Sequence, residues 1–189
     1  FAPVSDEGTV DVVFVFSGVD MAGKTVVAFE DVSSNNTTYA VHADIDDEDQ
    51  TVYFPSLDTV ATDAVDGNHE IAEADGQSIS EKVTFTNLQN GYDYYVVGQL
   101  HVRNADGTDG GLLTDADGNA YTAKSDVFMG STGNREGVTL TFDNVDASAI
   151  GGKDVVVYDT LYTVGQGSRS ADGVVLGIHA NIDDKDQTV

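Results

Sequence analysis

Hydrophobic and polar residues alternate with a period of two along several stretches of the chain. The clearest stretches run from Thr9 to Phe16, Lys82 to Thr86, Tyr94 to Val102 and Val138 to Phe142. Such alternation is typical of β-strands with one buried face. Turn-forming clusters of Gly, Asp and Asn separate these stretches, and no segment has a convincing helical period. The pattern predicts an all-β, immunoglobulin-like sandwich.

An eleven-residue phrase occurs twice in the chain. It reads HADIDDEDQTV from His42 to Val52 and HANIDDKDQTV from His179 to Val189. A related block precedes each copy, AGKTVVAFE from residue 22 and GGKDVVVYD from residue 151. Self-similarity at a fixed spacing indicates that one structural module is copied in tandem.

The spacing of the copies gives the size of the module. His42 and His179 are 137 residues apart (179 minus 42), a natural length for one all-β domain. Residues 1–55 then hold the later half of a first module, and residues 56–189 hold a complete one. One interpretation left open is that another chain supplies the missing opening strands, because about 55 residues with unpaired strand edges do not easily form a stable core alone.

Composition excludes several classes of function. The 8 basic and 33 acidic residues give a net charge of −25, which argues against charge-driven binding to nucleic acid or to anionic membranes. No run of about 18 apolar residues is present, so no membrane contact is expected within this segment. The absence of cysteine excludes disulfides and thiolate zinc sites. An exported β-protein of this kind needs another means of stabilisation.

Three parts of the repeated region carry a family resemblance. Gly23 to Glu30, then His42 with Asp44, then Asp49 to Val52 closely resemble the VaFE-repeat, or ester-bond, domains of Gram-positive adhesin stalks. In the complete module, residues 57–63, residues 79–88 and the strand that follows Gly91 are similar to the opening strand, second block and next strand of the same family. The resemblance implies an immunoglobulin-like fold whose first and last strands are joined by a self-formed ester between a Thr hydroxyl and a Gln side chain, with loss of ammonia.

The resemblance also implies roles for individual residues. Thr59 is the expected nucleophile and Gln187 the electrophile of the cross-link. His179 is expected to move the proton, since a His with a pKa near neutrality can accept and return it. Glu81 and Asp159 are the expected carboxyl pair, in which one group keeps a proton and donates a hydrogen bond to the amide.

The carboxyl pair departs from the family pattern. The family usually has Asp in the second block and Glu after the aromatic residue, whereas this module has Glu81 and Asp159 at these positions. The two changes are reciprocal, so we interpret them as compensating in length. The alternative is that they slow or abolish the ester. In the partial first module the equivalents are Glu30, His42 and Gln50.

The assignment of His179 sets a geometric condition. Eight residues of straight strand would place His179 about 26 Å from Gln187, too far for joint chemistry. We therefore expect the chain to bend between them, where residues 183–186 have turn composition.

The predicted function is mechanical. The resemblance implies a stalk module at the bacterial cell surface, anchored through a segment outside this chain, with neighbouring modules of the same protein as partners. No cofactor and no enzymatic turnover are expected, because the nucleophile is consumed once. The sequence does not identify a host receptor. The main alternative is an immunoglobulin-like binding or spacer domain without a cross-link.

Three weaker alternatives concern other chemistry. Acidic residues follow both His42 and His179, which suggests a divalent metal, although the spacing matches no strong signature. The loop from Asp115 to Asn119 resembles a calcium loop but lacks the closing Glu, so a plain turn is favoured. Lys82 and Lys124 could enter a Lys–Asn isopeptide bond, but nothing pairs either with a suitable Asn and acid.

Overall fold

The computed structural model describes residues 5–131, 137–148, 150–165 and 173–189. Regular structure in these ranges consists of β-strands and one 3-10 turn at Glu48–Gln50, which confirms the all-β prediction. The strands, in chain order, are β1 (Thr25–Val27), β2 (Glu30–Ser34), β3 (Thr37–His42), β4 (Thr51–Tyr53), β5 (Ser56–Asp63), β6 (Gln77–Thr86), β7 (Asp93–Arg103), β8 (Asp109–Leu112), β9 (Thr122–Lys124), β10 (Phe128–Met129), β11 (Val138–Val145), β12 (Asp154–Thr163) and β13 (Val175–His179). No described helix is long and apolar enough to cross a membrane.

Residues 56–189 form two antiparallel sheets. One sheet has the order β11-β6-β5, and the other has the order β10-β7-β12-β13, with β8 and β9 also paired to β7. The longest pairing joins β7 to β12, from Asp154 opposite Arg103 to Thr163 opposite Tyr94. Strand β6 is central in the first sheet, and β7 and β12 are central in the second.

The hydrophobic core fills the space between the two sheets. Strand β7 buries every second residue from Tyr94 to Leu100, as its alternating sequence predicts. Side chains from β6, β11 and β12 complete one cluster, including Val83, Leu140 and Leu161. Because both sheets contribute to one core, the module is a β-sandwich.

The alternating stretch at residues 9–16 does not form a strand, so this part of the prediction is wrong. Its side chains are exposed, and Val15 is 93% accessible. The corresponding stretch of the second copy is β11, which pairs with β6. No counterpart of β6 is present among the described residues before β1, so residues 9–16 have no edge to pair with. Alternation alone cannot form a strand without a neighbour.

A polar joint connects the two parts of the chain. The Asn87 side chain donates a hydrogen bond to the Lys24 carbonyl oxygen (2.7 Å) and shares hydrogen bonds with the Thr25 hydroxyl. Next to it, the hydroxyls of Ser56 and Thr86 are also hydrogen-bonded. Asn87 has a φ of 64°, in the left-handed region that Asn tolerates better than most residues. These contacts fix the end of β6 against the start of β1.

Candidate cross-link site

A cluster of polar side chains lies inside the second sandwich. Thr59, Glu81, Asp159 and Gln187 are all at most 1% exposed. His179 lies at the edge of the cluster, with 23% of its side chain exposed. These are the five residues that the sequence predicts for the cross-link in the complete module. Burial of so many polar groups in one place is unusual for a core and indicates a specific site.

Both sheets and the last turn contribute to this cluster. Thr59 comes from β5 and Glu81 from β6, while Asp159 comes from β12 and lies opposite His179 at the end of β13. Gln187 follows β13 after a turn. Because β13 ends at His179, the predicted bend before Gln187 is present.

The backbone around Gln187 is tied to both sheets. The Ala61 amide of β5 donates to the Asp186 carbonyl oxygen (2.7 Å), and the Val157 amide of β12 donates to the Gln187 carbonyl oxygen (3.0 Å). The last turn therefore bridges the open edges of β5 and β12. This bridge places the Gln187 side chain between the sheets, where the Thr59 and Asp159 side chains also point.

A hydrogen-bonded relay runs from Thr59 to solvent. The Thr59 hydroxyl is 3.2 Å from Nδ1 of His179, and Nε2 of the same ring is 3.0 Å from a carboxylate oxygen of Asp184. A carboxylate facing Nε2 favours the tautomer with the proton on Nε2. Nδ1 is then free to accept the Thr59 proton. The arrangement matches the general pattern of nucleophile, base and orienting acid.

Asp184 was not among the residues predicted from the sequence. A signal for it exists in the repeat, because Asp47 stands five residues after His42, as Asp184 stands five residues after His179. The first copy holds five acidic residues and the second holds three, however, and only the turn geometry decides which carboxylate reaches the ring.

The amide of Gln187 meets the carboxyl pair. Its Nε2 donates to Asp159 Oδ2 at 3.3 Å, while its carbonyl Oε1 has no hydrogen-bond partner among the described residues. Both oxygens of Glu81 and Oδ1 of Asp159 are also buried without a partner of good geometry in this part of the chain. Each such group costs about 1–3 kcal/mol when left unpaired. The site therefore concentrates unsatisfied polar groups around one amide.

The two carboxyl groups have strongly perturbed pKa values. Burial and the neighbouring charge of Asp159 raise the pKa of Glu81 to about 10. Burial also raises the pKa of Asp159, to about 6, although Glu81 and His179 act in the opposite direction. At neutral pH Glu81 therefore holds a proton and Asp159 is mostly ionised. Each carboxyl group changes the pKa of the other, as expected of two groups whose side-chain lengths compensate each other.

Glycine at position 98 makes room for Asp159. Gly98 lies opposite Asp159 in the pairing of β7 with β12. A Cβ atom there would lie 3.0 Å from Asp159 Oδ1 and 2.8 Å from Leu140 Cδ1. A larger residue would displace the carboxyl group or the core. Sequence reasoning placed Gly98 in a strand but did not connect it with the site.

The partial first module holds half of the same site. Gln50 Nε2 donates to Glu30 Oε2 at 2.7 Å and lies 2.9 Å from His42 Nδ1. His42 Nε2 lies 2.9 Å from Asp47 Oδ2. All three predicted equivalents, Glu30, His42 and Gln50, thus come together. Counterparts of Thr59 and Glu81 do not occur among the described residues before β4.

The other chemical alternatives gain no support from the geometry. In the ranges that the structure describes, no three His, Asp or Glu side chains converge to hold a metal ion. The Asp115 carboxylate accepts hydrogen bonds from the Asp117 and Asn119 amides, as expected of a plain acidic turn. The Lys124 ammonium lies over the Tyr95 ring, 3.8 Å from its centre. Lys82 points to solvent.

The fold and the site define a class: β-sandwich domains with a buried Thr, a buried Gln and the acid–base groups to join them. A family model described as "TQ: T-Q ester bond containing domain" matches residues 1–54 and 55–189. The chain belongs to this family. No curated protein has a matching sequence.

Two solved structures resemble the chain more distantly. Both are of a "Bacterial adhesin from Mobiluncus mulieris containing intramolecular disulfide, isopeptide, and ester bond cross-links", in space groups P1 and P21. Sequence identity is 18% and 17%, and the TM-score is 0.47 in both cases. The alignments cover 72% of this chain and 56% of the adhesin chains. The family assignment rests on the sequence match.

Proposed function

We propose that residues 56–189 form an intramolecular ester between Thr59 Oγ1 and the side-chain carbonyl carbon of Gln187. The observation that carries this proposal is the buried cluster itself, which brings the Thr hydroxyl to a His–Asp pair and the Gln amide to a carboxyl pair. Thr59 and Gln187 are 128 residues apart in sequence (187 minus 59). Burial of both residues in one site supports a bond between the two ends of the module.

The first step is attack on the amide. His179 Nδ1 accepts the Thr59 proton as Oγ1 attacks the Gln187 carbonyl carbon, and Asp184 stabilises the positive ring that results. The carbonyl oxygen of Gln187 then becomes an oxyanion. A protonated Glu81 donates a hydrogen bond to this oxygen, which has no other partner among the described residues. This donor explains why a carboxyl group with a raised pKa belongs here.

The second step releases ammonia. Asp159 accepts a hydrogen bond from Nε2 of Gln187 and keeps the amide oriented. His179 returns the proton to this nitrogen, the bond between carbon and nitrogen breaks, and ammonia leaves. One ester forms and one ammonia is lost, so the atoms balance without any cofactor. The site acts once and its product stays in the chain, so the protein is not an enzyme with turnover.

We further propose that the cross-linked module is a force-bearing part of an adhesin stalk on the bacterial cell surface. Pulling force entering through β5 would pass through the ester to the segment after β13 without unravelling the strands between them. Closing so long a loop is worth on the order of 5 kcal/mol, if the loop-entropy estimate for disulfides applies. Neighbouring modules of the same protein would be its partners. Cell-wall anchoring would come from a segment outside this chain.

Intact mass under denaturing conditions tests the cross-link. We expect the purified chain to be one ammonia lighter than its sequence requires, and the Thr59→Val variant to have the full mass. Thr62→Val, on the same strand but outside the cluster, is the matched control and should still lose ammonia. A wild-type mass equal to that calculated from the sequence would reject the ester and favour a spacer domain without a cross-link.

A further inference from the structure

A Thr follows the Gln in both copies of the repeated phrase, and the proposed reaction gives it no role. The Thr51 hydroxyl donates a hydrogen bond to the carbonyl oxygen of Asp47 at 2.6 Å. The Thr188 hydroxyl donates in the same way to the carbonyl oxygen of Asp184. In each copy the hydroxyl therefore reaches four residues back and closes the turn that contains the Gln.

The backbone of Thr188 is held from three directions. Its amide donates to the Lys185 carbonyl oxygen at 3.4 Å, and the residue lies opposite Val156 of β12 in a β-bridge. On the other side, Nδ1 of His69 lies 2.9 Å from the Thr188 carbonyl oxygen. A carbonyl oxygen can only accept, so the His69 ring is the donor. The Thr188 hydroxyl is thus carried on a fixed backbone.

The closed turn aims the carboxylate of its first residue at the His ring. Asp184 Oδ1 accepts a hydrogen bond from the Asp186 amide at 3.0 Å, and Asp184 Oδ2 lies 3.0 Å from Nε2 of His179. Asp47 divides its two oxygens in the same way between its own turn and the His42 ring, at 2.9 Å each. One carboxylate oxygen therefore belongs to the turn and the other to the ring.

The contact between carboxylate and ring has the same length in two different surroundings. The His42 side chain is 54% exposed and the His179 side chain 23% exposed, yet the distances are 2.9 Å and 3.0 Å. Both carboxylate side chains are 22% exposed, so water competes for them. Holding a partly exposed side chain in one geometry costs conformational entropy. The turn that both copies share lowers this cost, because it fixes the backbone that carries the carboxylate.

We propose that the Thr188 hydroxyl is a positioning group for ester formation, and that it acts by holding Asp184 against the His179 ring. The inference rests on the proposed ester between Thr59 and Gln187. With the turn closed, Asp184 keeps the ring proton on Nε2, and Nδ1 accepts the Thr59 proton. With the turn open, Asp184 turns to solvent and part of the rings carry their proton on Nδ1, which blocks the transfer. Thr188 itself takes part in no bond that forms or breaks.

The rate of ammonia loss during refolding, followed by intact mass, tests this role. Thr188→Val keeps the shape of the side chain without its hydroxyl, and it should slow ester formation about tenfold, because small displacements of reacting groups cost large factors in rate. Thr188→Ser keeps the hydroxyl and should restore most of the rate. Thr141→Val, at an exposed position of β11, is the matched control and should react like the wild type. A wild-type rate in Thr188→Val would overturn the inference.

A double-mutant cycle distinguishes a role through Asp184 from a general loss of structure. In a chain that carries Asp184→Asn, the carboxylate that the turn holds is already gone. Adding Thr188→Val there should change the rate by less than about threefold. The same fold loss in both backgrounds would overturn the role through Asp184, because the hydroxyl would then act on the fold or directly on Gln187.

A chain that cannot form the ester gives a direct readout of the ring. In the Thr59→Val background, nitrogen NMR of the imidazole reports which ring nitrogen of His179 carries the proton. Thr188→Val should increase the share of rings with the proton on Nδ1, and Thr188→Ser should not. An unchanged share in Thr188→Val would overturn the inference.

The outcomes separate this inference from the proposed function. Wild-type protein that loses no ammonia would overturn the proposed function, whereas the ring readout would still decide whether Thr188 holds Asp184. Ammonia loss at equal rates in the wild type and Thr188→Val would overturn this inference and leave the ester standing. Circular dichroism shows whether each variant folds. If Thr188→Val fails to fold while Thr188→Ser folds, the hydroxyl is a requirement of the fold, and a positioning role is overturned.

Discussion

At the residue scale, we expect the His179–Asp184 pair to set the rate of the proposed ester formation. The Asp184 carboxylate lies 3.0 Å from Nε2 and favours the proton there, and Nδ1 faces the Thr59 hydroxyl at 3.2 Å. A buried Thr hydroxyl is a poor nucleophile without such a base. The carboxyl pair of Glu81 and Asp159 would then set how readily the Gln187 amide accepts the attack. Each of these roles predicts a separate change in the rate of ester formation.

Asp184→Asn should slow ester formation by about 10²-fold or more, because the ring loses the carboxylate that fixes its tautomer and stabilises its positive form. The rate is measured by intact mass at intervals after refolding. Asp186→Asn is the matched control, since its side chain is exposed in the same turn. Equal rates for the two variants would exclude a role for Asp184 in proton transfer.

Ester formation should tolerate an exchange of the side chains of Glu81 and Asp159 only when both positions are changed together. Glu81→Asp alone leaves two short groups and a gap, and Asp159→Glu alone forces two long groups together. We expect each single change to slow ester formation at least tenfold and the double exchange to restore most of the rate. If the fold loss in rate of the double variant equals the product of the two single losses, the two side-chain lengths are not coupled.

The pH dependence of ester formation should be bell-shaped. The proposed reaction needs Glu81 protonated, Asp159 ionised and the His179 ring neutral, so that the ring can accept the Thr59 proton. With pKa values of about 10 for Glu81 and about 6 for Asp159, the rate should fall above about pH 10 and below about pH 6. Refolding at fixed pH with intact-mass detection measures the profile. In the Glu81→Gln variant the rate should no longer fall above about pH 10. If the rate of this variant still falls at alkaline pH, Glu81 is not the cause of the fall.

At the element scale, the site depends on how closely β7 approaches β12. Gly98 gives Asp159 the room that a Cβ atom would fill. The last turn in addition bridges β5 and β12 through the Ala61 and Val157 amides. The site therefore depends on strand spacing and turn geometry, which position the reacting groups, as much as on which residues those groups belong to.

Gly98→Ala should slow ester formation and leave the secondary structure unchanged. The new methyl group would crowd Asp159 Oδ1 and Leu140 and turn the carboxyl group away from Gln187. We expect at least a tenfold loss in rate with an unchanged far-UV circular dichroism spectrum. Gly8→Ala, with no neighbouring atom within 4 Å of its Cβ position, should behave like the wild type. A wild-type rate in Gly98→Ala would contradict the close packing described here.

The sequence predicts some strands and site residues correctly and misses others, and each difference has a physical reason. Long strands with one buried face, such as β6, β7 and β11, follow from alternation. The stretch at residues 9–16 alternates equally well but has no partner strand, so the same signal fails there. The repeat shows that His179 and Gln187 belong to a recurring motif, and the family resemblance gives them and Thr59 their expected roles. Neither the repeat nor the resemblance identifies Asp184 or Gly98, because their roles depend on turn geometry and on contacts between strands, which no short sequence pattern encodes.

At the scale of the whole molecule, the ester would replace the disulfides that a chain without cysteine cannot form. The site lies where the first and last parts of the module meet, so a covalent bond there encloses nearly all of residues 56–189. The chain before it is joined through the contacts of Asn87 with Lys24 and Thr25. We therefore predict a stiff connection between modules in the parent protein.

Loss of the ester should lower the stability of the complete module substantially. Thr59→Val preserves shape but removes the nucleophile, and the free energy of unfolding should fall by on the order of 5 kcal/mol. Chemical denaturation followed by circular dichroism measures the change in midpoint. Thr62→Val should change it little. A midpoint for Thr59→Val equal to that of the wild type would mean that no loop is closed in the native chain.

The most direct test of the central claim is to locate both ends of the bond. Proteolysis of the denatured protein followed by tandem mass spectrometry should yield one branched product that joins the peptide containing Thr59 to the peptide containing Gln187. Its mass should equal the sum of the two peptides minus one ammonia. Recovery of both peptides separately, with Gln187 still an amide, would contradict the cross-link.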